Sequence, residues 1–298
     1  MRTIQINDDL YQIPSEWDEL TPAQLEYLSR ISRSDQPVEQ FKLLMLLYCL
    51  RARVTRHPKL SKTLARLKVG TESPRVCLRI RRKRYWLTPE EVNLMADQMD
   101  WLLTEKETDL RKKLREWNLY RKKETCYYIQ PLRTVNPCPK LRIRWHRLAG
   151  PDDNLFDITF EQYMYLQTYL DALPDDPSKM DSLLACLWHT GRAFRIDRLE
   201  HDARIIRHLR PDRKAALYWF VLGSIGYLAD NYPRVFSGGS GRVLGNVFDS
   251  QLRLLDSLAA HDMTKKDEVR RGLFIDALYA MDEQLRIQEE MKEKMQGK

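Results

Sequence analysis

The stretch DELTPAQLEYLSRI, residues 18–31, carries the signal that decides the fold. Thr21 stands before a run with helical apolar spacing, and Pro22 follows it, which is typical of a helix N-cap with proline at the first helical position. Gln24 completes a capping box, in which each side chain satisfies a backbone N–H of the other residue. The stretch therefore predicts a helix that begins at Pro22.

The same phrase recurs as WLTPEEVNLM at residues 86–95 and as DITFEQYMYLQTYL at residues 157–170. Each copy has a threonine at the cap position with Glu or Gln three residues later, and an apolar residue precedes each threonine, as in a hydrophobic staple. A degraded fourth copy, LRPDRKAAL at residues 209–217, has Arg210 in place of the threonine. The phrase starts helices and has no function of its own, so its recurrence predicts repeated supersecondary units.

Short stretches with strand-like alternation precede the first three copies, and they predict β-hairpins. Apolar helical runs follow the first and third copies at almost the same distance from the cap. We therefore predict a mainly α fold with short β-hairpins, built as two related helical halves through an internal duplication. The predicted hairpins are TIQINDDLYQI (3–13), RVCLRIRRKRYWL (75–87) and KLRIRWHRL (140–148), and the helical runs are EQFKLLMLLYCLR (39–51) and KMDSLLACLWHTGR (179–192).

The proline-rich stretch CYYIQPLRTVNPCPK, residues 126–140, interrupts the composition of the chain and predicts the boundary between the halves. We predict a basic N-terminal half at residues 1–125, with a hairpin and capped helices. The C-terminal half, residues 126–298, is predicted to be helical, with a hairpin at its start and a long helix at its end. Charge follows a similar division, because residues 1–150 hold 30 Lys and Arg against 18 Asp and Glu, whereas residues 151–298 hold 20 against 24.

Hydrophobic residues make up 43% of the 298 positions, which is sufficient for a buried core. The N-terminus lacks the features of a signal peptide. The most apolar run, FKLLMLLYCL at residues 41–50, is about half as long as a segment that spans a bilayer. We therefore expect a soluble cytoplasmic protein that does not enter membranes.

The sequence contains no motif of a known catalytic or nucleotide-binding site. The five cysteines form no CxxC pair, and the spacing of Cys126, Cys138 and His146 matches no zinc-ligand pattern. Cys49 and Cys186 lie in apolar helical runs, where a thiol acts as a small hydrophobic group. We therefore predict a non-enzymatic protein without a metal or other cofactor.

A basic segment with interleaved aromatic residues is the strongest local anomaly. It comprises the predicted hairpin at residues 75–87 and a predicted charged helix at residues 104–125. Cations contact phosphates and aromatic rings stack on unpaired bases, so the segment predicts nucleic-acid binding, although basic surfaces also bind acidic proteins or stay solvated. The candidate residues for a nucleic acid or an acidic partner are Arg79, Arg81, Arg82, Lys83, Arg84, Trp86, Lys112, Lys113, Trp117 and Lys122.

Four stretches carry a resemblance to a known class of proteins: DITFEQYMYLQTYLDAL, LLACLW, YLADNYPRVFSGG and LLDSLAAHDMTKKDEVRRGLFIDALYAMDEQLR. The resemblance covers residues 150–290, with a weaker similarity in residues 15–55. These stretches look like small helical proteins carried by prophages of gut anaerobic bacteria, near tail genes, that are regarded as tail-assembly-chaperone-like. The resemblance implies a phage-derived assembly or scaffolding protein that binds phage structural or assembly proteins, in the bacterial cytoplasm or on the virion.

Such a function requires apolar helix faces that a partner can reach. The stretch at residues 265–298 predicts a long C-terminal helix with one apolar stripe. Packing into the core is the alternative role of these side chains, because aromatic stripes at helical spacing usually face inward. The candidate partner-binding residues are Tyr163, Tyr165, Tyr169, Phe274, Leu278, Met281 and Leu285. A nucleic-acid-binding accessory protein that uses residues 75–123 is the alternative function.

Overall fold

Helices dominate the fold, and the strands form four small antiparallel sheets among the described residues, which confirms a mainly α architecture with short hairpins. Contacts along the chain separate two units, Met1–Pro131 and Leu132–Lys298, and the division lies within the proline-rich stretch. The computed structural model describes residues 1–34, 37–55, 76–106, 126–237 and 247–296.

Unit 1 alternates short strands with helices. The strands pair antiparallel as β1–β2, β3–β4–β5 and β6–β7. The helix predicted at residues 104–125 is wrong for its first three residues, because residues 104–106 form the strand β6 and pair with β7. The rest of that predicted helix, residues 107–125, lies outside the described ranges. The elements are β1 (Arg2–Ile6), β2 (Asp9–Ile13), α1 (Pro22–Ile31), α2 (Val38–Leu50), β3 (Ala52–Thr55), β4 (Val76–Ile80), β5 (Lys83–Leu87), α3 (Pro89–Ala96), β6 (Thr104–Lys106) and β7 (Cys126–Tyr128).

Unit 2 begins with a hairpin, and its other described elements are helices. Its core contains fully buried aromatic residues from several helices, among them Phe160, Trp188, Phe220 and Phe274. The elements are β8 (Lys140–Ile143), β9 (His146–Ala149), α4 (Phe160–Ala172), α5 (Met180–Leu187), α6 (Leu199–Ile206), α7 (Pro211–Asn231), α8 (Pro233–Ser237), α9 (Val247–Leu258), α10 (Lys266–Arg271) and α11 (Phe274–Gln296).

The C-terminal stretch forms two helices and not the one long helix that its sequence predicts. Gly272 ends α10 with an extended backbone, at φ −63° and ψ 158°. Its carbonyl accepts a hydrogen bond from Phe160 N at 2.9 Å, and Phe274 N donates to Ile158 O at 2.8 Å. The helix breaks here because glycine has a low helix propensity and the extended segment pairs with the start of α4.

The three predicted capping boxes are present, and they start α1, α3 and α4. The hydroxyls of Thr21, Thr88 and Thr159 accept hydrogen bonds from backbone N–H groups three residues later, at 3.2 to 3.3 Å. In return, the Gln or Glu side chain accepts from the threonine N–H at 2.8 to 2.9 Å. The degraded copy also starts a helix, since α7 begins at Pro211, but the side chain of Arg210 makes no capping hydrogen bond.

The three predicted hairpins are present as well, as β1–β2, β4–β5 and β8–β9. Each has a two-residue turn that follows a buried isoleucine and begins with a residue of left-handed φ. The three residues with this backbone are Asn7 (φ 53°), Arg81 (φ 53°) and Arg144 (φ 55°).

The two units begin with the same series of elements: a hairpin, a short 3₁₀ turn, a capped helix and a second helix. The capping-box glutamine also reaches the second helix in both. Gln24 lies beside the thiol of Cys49, whereas Gln162 donates from Nε2 to the carbonyl of Cys186 at 2.9 Å. The shared order and this shared contact support the predicted internal duplication, which remains a prediction.

Candidate functional site

The outer face of the sheet β3–β4–β5 carries three arginines in one line. Arg79 of β4 lies directly opposite Arg53 of β3 on one side and Arg84 of β5 on the other. Opposed residues of antiparallel strands point to the same face, with Cβ atoms about 4.5–5.5 Å apart. All three are exposed, and no carboxylate among the described residues forms an ion pair with them. We call these three residues the arginine row. Their neighbouring positive charges create a positive electrostatic potential on this face, and they repel one another.

Strand alternation separates this outer face from the core. Leu78, Ile80 and Tyr85 point inward and are buried. Trp86 points outward, lies opposite Cys77 and is 49% exposed. The outer face therefore combines a row of guanidinium groups with an accessible indole ring.

Lys83 lies in the same hairpin but has a carboxylate partner. Its ammonium lies 2.5 Å from Asp9 Oδ1, and the Tyr85 hydroxyl donates to Asp9 Oδ2 at 2.6 Å. The Tyr11 and Tyr85 hydroxyls are 2.5 Å apart. The hydrogen bonds from Lys83 and then Tyr85 hold the pKa of Asp9 below its ordinary value. The charge of Lys83 is thus matched by a carboxylate, whereas the arginine row has no such partner in the part of unit 1 that the structure describes.

Two adjoining hollows of about 590 Å³ and 600 Å³ open in unit 1. Tyr27, Tyr48, Arg51 and Arg53 line the first, between α1 and α2. Arg51 and Arg81 line the second, beside β2. Every charged residue in the described walls of both hollows is an arginine. The hollows therefore suit an anionic ligand.

The predicted basic residues fall into two groups. Arg79, Arg81, Arg82, Lys83, Arg84 and Trp86 are exposed in one hairpin, whereas Lys112, Lys113, Trp117 and Lys122 lie outside the described residues. Sequence reasoning misses Arg51 and Arg53, because pairing with a strand distant in sequence brings β3 beside β4. The alternation in residues 51–55, RARVT, is the strand signal that could have found them.

Four of the seven predicted partner-binding residues are buried in the core of unit 2, which is the alternative role predicted for these side chains. They are Tyr163, Phe274, Leu278 and Met281. The apolar faces of α4 and α11 pack in one core, and burial raises the pKa of Tyr163 to about 12. Tyr165, Tyr169 and Leu285 are half-buried, and their role in partner binding remains a prediction.

Helix α11 carries a second set of apolar side chains nearer its C-terminal end, where most of the neighbouring residues are charged. Ile287, Met291 and Met295 are 40%, 57% and 79% exposed. Their spacing of four residues places them on one side of the helix. We call them the apolar face of α11, and a partner can reach this face without any change in the core.

Asp202 is a buried carboxylate beside His201. It accepts hydrogen bonds from the Thr190 hydroxyl at 2.8 Å and from Thr190 N at 3.2 Å, and His201 Nδ1 lies 3.1 Å from it. The His146 ring lies 6.3 Å from the His201 ring. The Thr190 hydroxyl donates to the carboxylate and not to an imidazole, so the histidines do not activate it. The cluster joins the segment after α5 to α6.

Among the described residues, His, Cys, Asp and Glu side chains form no group of three that could hold a metal ion. None of the helices in those ranges combines the length and apolar character of a membrane span. Comparison with protein-family models, with curated proteins and with solved structures finds no match to this chain. Function is therefore inferred from the arginine row, the two hollows and the apolar face of α11.

Proposed function

We propose that the chain is a non-enzymatic, phage- or prophage-derived assembly or scaffolding protein that binds other proteins, in the manner of a tail-assembly chaperone. The apolar face of α11 carries this proposal. Exposed apolar side chains on a helix suit a partner that lays its own apolar segment against them. Two of the three side chains are methionines, whose flexible thioethers adapt to differently shaped partners.

The charged residues around this face fit the same function. Glu289, Glu290, Lys292 and Glu293 are exposed between the apolar positions. They keep the free protein soluble while the apolar side chains remain accessible. Such an arrangement suits temporary binding of an aggregation-prone segment, for example of a tape-measure protein, until assembly.

The test compares three forms of the tagged full chain, each co-expressed with the genes that surround its own. The site variant combines Ile287→Ser, Met291→Ser and Met295→Ser. A matched control changes exposed polar residues of the same helix, through Gln284→Ser, Gln288→Ser and Lys292→Ser. We expect the unchanged chain and the control to retain a stoichiometric phage protein that the site variant loses. Equal retention by all three forms, or by none, would contradict the proposal.

A second candidate function is that of a nucleic-acid-binding accessory protein that uses the basic surface of residues 75–123. The arginine row favours it, because its exposed guanidinium groups form no ion pair with a carboxylate of the described residues and can contact phosphates. The test is the ultraviolet absorbance of the purified full chain before and after nuclease treatment at moderate salt. A nuclease-sensitive excess at 260 nm supports this function, and an unchanged spectrum counts against it.

A further inference from the structure

The first hollow combines cationic side chains with stacked aromatic rings. Tyr27 and Tyr48 stack with ring centroids 3.9 Å apart and planes 4° apart, and the Arg30 guanidinium lies over the Tyr27 ring at 5.8 Å. Tyr48 is the more accessible of the two rings, because 37% of its surface is exposed whereas Tyr27 is half-buried. Because Arg51 and Arg53 line the same hollow, a flat ring and two guanidinium groups are available to one ligand.

Arg51 lies where α2 ends, and its side chain is shared by the two hollows. It is the C-cap of α2, and its left-handed φ of 52° turns the chain from the helix into β3. Arg51 lines both hollows, and Arg81 lines the second. The two hollows therefore share one guanidinium group.

We infer that this surface of unit 1 binds single-stranded nucleic acid, with phosphates on Arg51 and the arginine row and an unpaired base on Tyr48. The inference rests on the second candidate function and specifies its site and the form of its ligand. Single strands expose the flat faces of their bases to aromatic side chains, whereas a duplex keeps its bases stacked. An acidic peptide would satisfy the arginines but has no base to place on the tyrosine stack.

The test measures fluorescence anisotropy of labelled oligo(dT) and oligo(U) with the full chain over a series of salt concentrations. The site variant combines Arg53→Glu with Arg84→Glu. The matched control combines Arg142→Glu with Arg147→Glu, which lie opposite each other in the hairpin β8–β9 of unit 2 and are both exposed. The two variants change the net charge equally, so a difference between them reports the location of binding.

We expect the site variant to lose more than about tenfold in affinity, and the control to lose much less. The salt dependence of the site variant should become shallower by about 1.4 in log–log slope, because two phosphate contacts on a single strand are lost. Tyr48→Leu should lose about tenfold in affinity at every salt concentration and keep the slope, because stacking on an aromatic ring involves no counterion release.

Each other outcome overturns the inference in a distinguishable way. If the unchanged chain binds neither oligonucleotide, the inference fails together with the second candidate function. If the chain binds and both charge variants lose affinity equally, binding follows net charge and the proposed site is wrong, although the function stands. If polyglutamate displaces the oligonucleotide and Tyr48→Leu leaves its affinity unchanged, an acidic protein is the ligand.

Discussion

Tyr163 and Phe274 stack face to face, with ring centroids 3.6 Å apart and ring planes 14° apart. The stack joins α4 to the first residue of α11. Backbone pairing of Thr159 with Leu273 continues the connection beside the rings. These two aromatic residues therefore hold the C-terminal helix in place, and their burial in unit 2 makes them core residues.

We expect Phe274→Ala to lower the free energy of unfolding by about 3–5 kcal/mol, because it leaves a cavity beside Tyr163 and Phe160. Urea denaturation followed by circular dichroism measures the change. Tyr279→Ala is the control, since Tyr279 lies on the same helix but is 66% exposed, and it should change the free energy by less than about 0.5 kcal/mol. Equal effects of the two variants would contradict this account of the core.

Local signals explain which parts of the fold were predictable from the sequence. Thr88 and Thr159 form their capping boxes with residues three positions away, and the hairpin at residues 75–87 closes through a two-residue turn. Gly272 shows where local signals fail. Its helix break depends on pairing with residues 158–160, which are distant in sequence and close only after folding.

The candidate site was predictable only where its residues are close in sequence. Arg79 and Arg84 are neighbours in one hairpin, so their sequence alone brings them together. Arg53 joins them only through strand pairing, and Tyr48 lies beside it only because the helix α2 leads directly into β3. The apolar spacing of Phe274 was evident, but the direction in which that stripe faces depends on what covers it, and the sequence does not show this.

The capping boxes of α1 and α4 occupy equivalent places in the two units but differ in burial. This difference leads to a second prediction. Gln162 is buried and donates to the Cys186 carbonyl, so Gln162→Ala leaves both that carbonyl and the Thr159 N–H without their partner. We expect a loss of about 1–3 kcal/mol in the free energy of unfolding. Gln24→Ala removes the equivalent side-chain acceptor of the Thr21 N–H at a more exposed position, and it should lower the free energy of unfolding by about 1 kcal/mol or less. Chemical denaturation compares the pair, and the reverse order would show that the buried contact does not stabilise unit 2.

Helix α7 contains two glycines with opposite environments. A Cβ at Gly223 would lie 2.1 Å from the carbonyl oxygen of Arg133, so Gly223→Ala must displace the backbone that crosses the helix there. We expect it to lower the free energy of unfolding by about 1–3 kcal/mol. Among the described residues, no atom lies within 4 Å of the Cβ position at Gly226, so Gly226→Ala should raise the free energy of unfolding by up to about 1 kcal/mol. Thermal melting of both variants checks this, and stabilisation by Gly223→Ala would show that Arg133 does not pack against α7.

The carboxylate of Asp9 makes the stability of unit 1 depend on pH. Lys83 and Tyr85 lower its pKa in the folded chain relative to the unfolded chain. The stabilisation is therefore fully present above the unfolded pKa, and it is lost as the pH falls through the folded pKa. We expect Asp9→Asn to remove this part of the acid dependence of unfolding. Asp8→Asn is the control, because it leaves the hydrogen bonds of Asp9 with Lys83 and Tyr85 in place.

The same interactions can be measured at the carboxyl group itself. In the full chain, NMR titration of Asp9 should give a pKa below the ordinary value, and both Lys83→Met and Tyr85→Phe should raise it. The lysine variant should have the larger effect, because its hydrogen bond is the largest cause of the lowered pKa and its positive charge adds to it. A pKa that neither substitution moves would mean that Asp9 does not connect the first hairpin to β5 in solution.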